Sequence, residues 1–380
     1  MSRLTQNSAA LASPLHIAHV RLVTGLGQDA RTNAAAWVAQ RRCFRNEVID
    51  GKKLFTAPVT NVTQGLQGAP RLRALLDALL PPPSVAKPPP AADVPINTQA
   101  LLLLPDWLAT DEQQGLAEHL HERLQAHLSA PLPLTYRATS GALASHQALH
   151  DLMSQPANGE APTRHLLIAV DSLCEPAVLK CEHTQGRVRY AGAHDVPAAQ
   201  AGTAGEAAAM LMLQATPPAE VSAGPGGRGK AHGRAAGPPT VRAIHRPALG
   251  SPTSSPRWPS QQQGNGHNFS EPVACAVAHA GLALGDIGGL IDDNEDQAWR
   301  TEDRWLGLQR LSLATPDHPW EGRHLGGAEQ LGQLGVATGA VHWGLLAALA
   351  HQGLGMANTV LSCTQDPNGA CAATVLELRP

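Results

Sequence analysis

Histidine and cysteine are the side chains here best suited to proton transfer, nucleophilic attack or metal ligation, and they occur in a few suggestive places. His146 and His150 stand four residues apart in an expected helix over 140–153, so they share one face as a metal-binding pair does. The zinc-peptidase pattern needs a glutamate after the first histidine, but Gln147 is there and no third ligand follows, so a packing or surface role is expected. His119, His121 and His127 lie among charged residues of an expected helix over 112–128 and read as a solvated face. Cys174 follows an apolar run at a strand-to-helix turn, where a helix start can activate a thiol; Cys181 is the second candidate, although a buried inert thiol is the commoner case. Gly224 to Lys230 has the glycine and lysine spacing of a phosphate-binding loop. Ala231 replaces the magnesium-binding hydroxyl, and neither a strand before nor a helix after is legible, so phosphate binding is not expected.

These residues need elements to hold them. The chain has 380 residues, 43% apolar, enough for a sizeable core in one large or two medium domains. Aromatics make up only 3%, so that core must be Leu, Val and Ala with many small residues. The net charge of −3, without a basic block, argues against a nucleic-acid binder working by phosphate neutralisation. Six scattered cysteines without a C-x-x-C pair do not make a disulfide framework or a zinc site, and with no signal-like or membrane-spanning run the expectation is a cytoplasmic protein off the membrane. No metal or cofactor is implied.

Strand and helix patterns alternate along the chain. Expected strands include 16–23, 99–104, 132–136, 165–170, 206–213, 287–292, 359–363 and 372–378. Expected helices include 31–40, 71–80, 112–128, 140–153, 271–284, 295–311 and 334–351. A proline-rich stretch over 81–97 reads as a linker. Residues 217–269, rich in Gly, Pro and Ser, read as a flexible low-complexity insertion between an N-terminal half (1–216) and a C-terminal half (270–380).

Three stretches, in order, resemble the thiolase-fold β-ketoacyl synthases. IAHVRLVTGLGQDARTNAAAWVAQRR is similar to their opening strand, turn and first helix. HLLIAVDSLCEPAVLK followed by GTAGEAAAMLML is similar to the strand ending in AGG and the GEGAG strand. QLGQLGVATGAVHWGLLAALAHQG is similar to the NIGHLGAASG motif with its long buried helix. The resemblance spans 15–216 and 270–380. It implies an α/β duplication in five layers, α-β-α-β-α, with the 140–153 and 334–351 helices in the central layer and a homodimer formed through strands near the family's cysteine.

The family's catalytic groups do not carry over. Its nucleophilic cysteine maps to Ala138 in YRATSGALASHQALH; a slip of register would offer Thr139 or Ser140, and no cysteine lies between 44 and 173. The first histidine maps to Asn294 in GLIDDNEDQAWRTEDRW, and the second to Gln333, with Gln330 in place of the motif's asparagine. The glycine-rich loop that completes the oxyanion hole maps to CTQDPNGAC, where Pro367 has no N–H. Alanine cannot form an acyl thioester and neither carboxamide titrates, so condensing chemistry is not expected.

Finer details resemble the thiolase-like proteins of bacterial type VI secretion gene clusters: VDSL after the buried strand, LLLLP before the 112–128 helix, and the set Asp292, Asn294, Glu295, Arg300, Glu302 and Trp305. That likeness implies a non-catalytic adaptor in effector handling, with spike, adaptor or effector proteins as partners. The alternative is an acyltransferase or acyl-binding protein that uses Ser140, Thr139 or Cys174, with acyl carrier protein as partner; Asn294 and Gln333 would then bond a bound carbonyl. A third possibility makes 217–269 a partner-binding arm that folds on binding.

Overall fold

The computed structural model describes residues 13–80, 98–126, 131–154, 164–191, 201–215, 241–251, 266–293, 298–354 and 357–378. The linker at 81–97, His127, the 224–230 glycine motif and Asn294 lie outside them.

Alternation of side chains decides the architecture. In β7 (Ala204–Ala215), Ala207, Ala209, Leu211 and Leu213 face one core, while Ala208 and Met210 face another. The same division runs through β4 (Thr98–Pro105) and β6 (Arg164–Ser172), so this part of the sheet is covered on both faces. β12 (Thr359–Gln365) and β13 (Cys371–Leu378) divide likewise between the first core and a third.

The outer face of the first half is covered by α3 (Gly68–Leu79) and α4 (Thr110–Gln125). That of the second half is covered by α7 (His267–His279) and α8 (Ala298–Ala314). Between the halves lie α1 (Ala30–Val38), α5 (Ala144–Ser154) and α10 (Thr338–His351). Residues 338–350 of α10 are all buried, as expected of a helix apolar all round. A Cβ on Gly339 would press on Ser145 and His146 of α5, and one on Gly344 on Leu22, so glycine lets these elements approach. The five layers expected from the sequence are therefore present.

Strand order exposes the duplication. The first half contributes β1 (Leu15–Thr24), β4, β5 (Leu134–Thr139), β6 and β7, in spatial order β5-β4-β6-β7-β1. The second contributes β8 (Val241–Ile244), β10 (Gly289–Ile291), β11 (Arg323–His324), β12 and β13, in order β11-β10-β12-β13-β8. Each half thus reads third, second, fourth, fifth, first, with the fifth strand antiparallel to its neighbours. The halves join where Leu15 pairs with Ile244.

That topology corrects one expectation. The 217–269 segment is not wholly without regular structure: β8 and β9 (Ala248–Gly250) fall inside it, and β8 is the first strand of the second half. The prolines around this short apolar run, Pro239 and Pro247, hide it, while Val241 and Ile244 are buried in the central core. A hairpin also went unforeseen: β2 (Arg45–Ile49) and β3 (Lys52–Ala57) turn through Asp50 and Gly51, both at positive φ, and β3 adds to β7.

Candidate functional site

The carboxyl ends of the parallel strands of both halves meet at a cavity of about 500 Å³. Such crevices beyond strand ends are where α/β sheets commonly place ligands. Pro105 closes β4, Thr139 closes β5, Asp171 stands near the end of β6, and Asp293 follows β10. The starts of α5 and α10 also reach it, through Gly141, Ala142 and Thr338.

The turn between β12 and β13 enters the cavity with Asp366. The Asp366 N–H donates to the Ala370 carbonyl at 2.8 Å and its own carbonyl accepts from the Gly369 N–H at 2.9 Å, so the turn is fixed. Its carboxylate Oδ1 accepts from the backbone N–H of Ala142 at 2.9 Å, and the Leu143 N–H also bonds this carboxylate. The amides that lead into α5 are thus engaged by a side chain of the same chain. Gly141, at φ +82, allows it, because a Cβ there would overlap the carboxylate. Burial pushes the Asp366 carboxyl up, against the pull of Arg300 and the two amides.

Two further buried carboxyls line the cavity. Asp171 accepts from Val336 N at 2.9 Å, Trp107 Nε1 at 3.2 Å and Ser172 N at 2.7 Å, tying the end of β6 to the turn before α10. Burial nevertheless pushes it up to about 6. Asp293 accepts from Gln365 N at 3.2 Å, and its nearest cation, Arg300 Nη1, is 3.8 Å away. Burial pushes Asp293 up to about 7, with Arg300 opposing. Its neighbour Asp292 points the other way, accepting from Arg304 Nη1 at 2.8 Å and His324 Nε2 at 3.1 Å. Although burial works against ionisation there, those two partners hold Asp292 well below the usual carboxylate range.

A pH dependence follows. Between the ordinary carboxylate pKa and about 7, folded Asp293 holds a proton that the unfolded chain releases, so its contribution to stability falls as pH rises through that window. Asp171 acts with the same sign up to about 6. Asp293→Asn is therefore expected to gain stability relative to the parent as pH rises from about 5 to about 8 in urea titrations. Parallel curves for the two proteins would show that Asp293 does not titrate there.

No protein-family model matches this sequence, and no curated protein does. Solved structures do. The ishigamide ketosynthase/chain length factor matches with a TM-score of 0.60 at 16% identity, over 97% of this chain and 100% of that one. A ketosynthase in complex with its chain length factor from Xenorhabdus doucetiae gives 0.63 at 12% identity, over 97% and 98%. A type II polyketide acyl-carrier protein in complex with its hexaketide-bound ketosynthase gives 0.64 at 10% identity, over 96% and 99%. The fold is that of the ketosynthases.

Within this ketosynthase fold the residues singled out from sequence scatter. Thr139, Ser140 and Gln333 line the cavity. Ala138 does not: it lies inside β5, exposed, opposite Leu104, and the chain reaches the start of α5 only at 140–143. Cys174 is buried away from the cavity, its thiol donates to the Ala204 carbonyl at 3.3 Å, and burial pushes it far above the usual thiol range. Cys181 lines the cavity and is exposed.

The histidine pair separates in role. His146 is fully buried against Trp343, with burial lowering it to about 3, whereas His150 accepts from Arg246 Nη2 at 3.1 Å near the surface. Sequence reasoning missed Asp171, Asp293 and Asp366 as site groups, although VDS, IDDN and CTQDPNG were all in view; nothing in apolar periodicity marks a carboxylate that turns inward. Native-state iodoacetamide is expected to label Cys181 and Cys275 quickly while Cys174, Cys363 and Cys371 stay unmodified until unfolding, read by peptide mass spectrometry. Prompt labelling of Cys174 would contradict its burial.

Proposed function

We propose that this chain is a non-condensing protein of ketosynthase fold that works by assembling with other proteins, in the handling of type VI secretion effectors. The observation that carries the first part is the Asp366 carboxylate on the Ala142 amide. A condensing enzyme needs backbone donors free for a developing oxyanion, and a thiolate beside them. Among the described residues lining the cavity there is no histidine to act as base, and the one thiol, Cys181, belongs to α6 (Pro176–Thr184) rather than to the start of α5.

Assembly has a candidate surface. β5 lies at one end of the sheet with 135–138 exposed, leaving a strand edge that can pair with another chain. A homodimer through this edge is the proposed state, and two of the matched structures are complexes with a chain length factor or an acyl-carrier protein. The secretion role rests on the sequence likeness to thiolase-like proteins of those gene clusters.

A second reading, acyl transfer or acyl binding, is favoured by Thr139 and Ser140 lining the cavity. Affinity capture of the tagged chain from its native cell, with mass spectrometry, separates the two. Spike, adaptor or effector proteins support assembly in secretion. Acyl carrier protein, together with transfer activity lost in Ser140→Ala, overturns it in favour of acyl chemistry.

A further inference from the structure

We infer that the cavity binds a small carboxylic acid with a short apolar body, its carboxylate gripped by Arg300 and a second oxygen taken by the Gln333 amide. The inference stands on the cavity alone and does not depend on the partner-assembly reading.

Arg300 sits in the first turn of α8, is 2% exposed and lines the cavity. Its closest carboxylate oxygen is 3.8 Å away on Asp293, beyond hydrogen-bond reach, and its Nε has no partner. One turn later on the same helix, Arg304 is equally buried and its Nε is likewise without a partner, but its Nη1 donates to Asp292 at 2.8 Å. Arg71, elsewhere in the core, donates to Glu206 at 2.7 Å. A guanidinium carries five N–H donors, and leaving them unmade in a buried place is costly. Arg300 thus has the Asp293 carboxyl nearby but no hydrogen bond to it, and its Nε is unmet.

Gln333 also lines the cavity, its amide close to Gly202. Its Nε2 is buried and without a partner. Both unmet groups are donors. The carboxylates of Asp171 and Asp366 cannot serve them, being bonded to Val336, Trp107 and Ala142. What fits is a ligand with acceptor oxygens. A planar carboxylate matches the guanidinium fork with two parallel bonds. A doubly charged phosphate fits less well, because Asp293, Asp366 and Glu182 also face this space. The apolar part of the wall, including Trp107, Leu173 and Val178, suits a short hydrocarbon body, and about 500 Å³ accommodates one.

The test is calorimetric titration of the full chain with hexanoate, and with hexanamide as the uncharged control. Hexanoate is expected to bind saturably and hexanamide roughly tenfold more weakly or worse. Arg300→Lys keeps the charge but removes the fork and is expected to lose roughly tenfold in hexanoate affinity. Gln333→Ala is expected to lose several-fold, with an unchanged circular dichroism spectrum. No saturable hexanoate binding by the parent protein overturns the inference, as does equal binding of hexanamide. Where Arg300→Lys does not fold, Gln333→Ala decides, and unaltered affinity in that folded variant rejects the site.

Discussion

Glu206→Ala is expected to lower the unfolding free energy by about 3–5 kcal/mol, the usual cost of removing one partner of a buried ion pair. Glu206 is fully buried in β7 and its carboxylate gathers donors from three parts of the first half. It accepts from Val59 N at 2.6 Å and Thr63 Oγ1 at 2.5 Å, from Arg71 Nε at 2.7 Å, and from Ser172 Oγ at 2.7 Å. Alanine leaves the Arg71 guanidinium, itself buried, without its bonded carboxylate, and orphans the Ser172 hydroxyl and the Val59 amide. Glu206→Gln keeps the shape but presents an NH₂ to groups that are themselves donors, so a loss of about 2 kcal/mol is expected. Urea unfolding of the three proteins checks both values. A loss below about 1 kcal/mol for the alanine variant would mean that the network is worth no more than a single ordinary hydrogen bond.

Gly335→Ala is the second large effect, with an expected cost of about 2–4 kcal/mol. Gly335 is held at φ +53 in the short turn before α10, a conformation that L side chains disfavour. Its added Cβ would overlap the Asp171 carboxylate. To make room, Asp171 must leave the Val336 and Trp107 donors, unfastening the end of β6 from the turn at the cavity wall. The variant is therefore expected both to unfold at lower urea and to lose the Trp107 contact, seen as a changed tryptophan emission in the folded state. Parental stability together with parental emission would show that the turn has another way to accommodate the methyl group. Asp171→Asn tests the same fastening without strain and should cost less, since the amide keeps an acceptor oxygen.

The parts of the fold that sequence revealed are those with long, unmixed patterns. β7 alternates between two cores over GEAAAMLMLQ, and α10 is apolar all round, so neither could be read as a surface element. Their order along the chain pointed to a duplication, and the shared strand order bears that out. What escaped were short elements whose reason lies elsewhere in the chain. β8 is four residues between prolines and becomes a strand only because β1 and β13 flank it. The strand before α5 shows the same: helical spacing fixes which residues share a face but not where that strand stops, and β5 runs on through Ala138. The cavity's carboxyls and Arg300 were visible as letters, but which of them pairs and which does not is settled by contacts more than a hundred residues apart, such as Asp366 with Ala142.

The crossing of α5 and α10 has a consequence that outlasts any particular side chain. Both helices begin at the same hollow, and the Ser145 hydroxyl of one bonds the Val336 carbonyl just ahead of the other. Aligned peptide dipoles therefore add there, giving about half a positive charge from each helix. That potential is generated by backbone and by the pseudo-symmetry of two repeated halves, so exchanging the residues around it can abolish a reaction without abolishing the attraction for negative charge. In this chain Asp366 already answers that attraction from within, through the Ala142 amide.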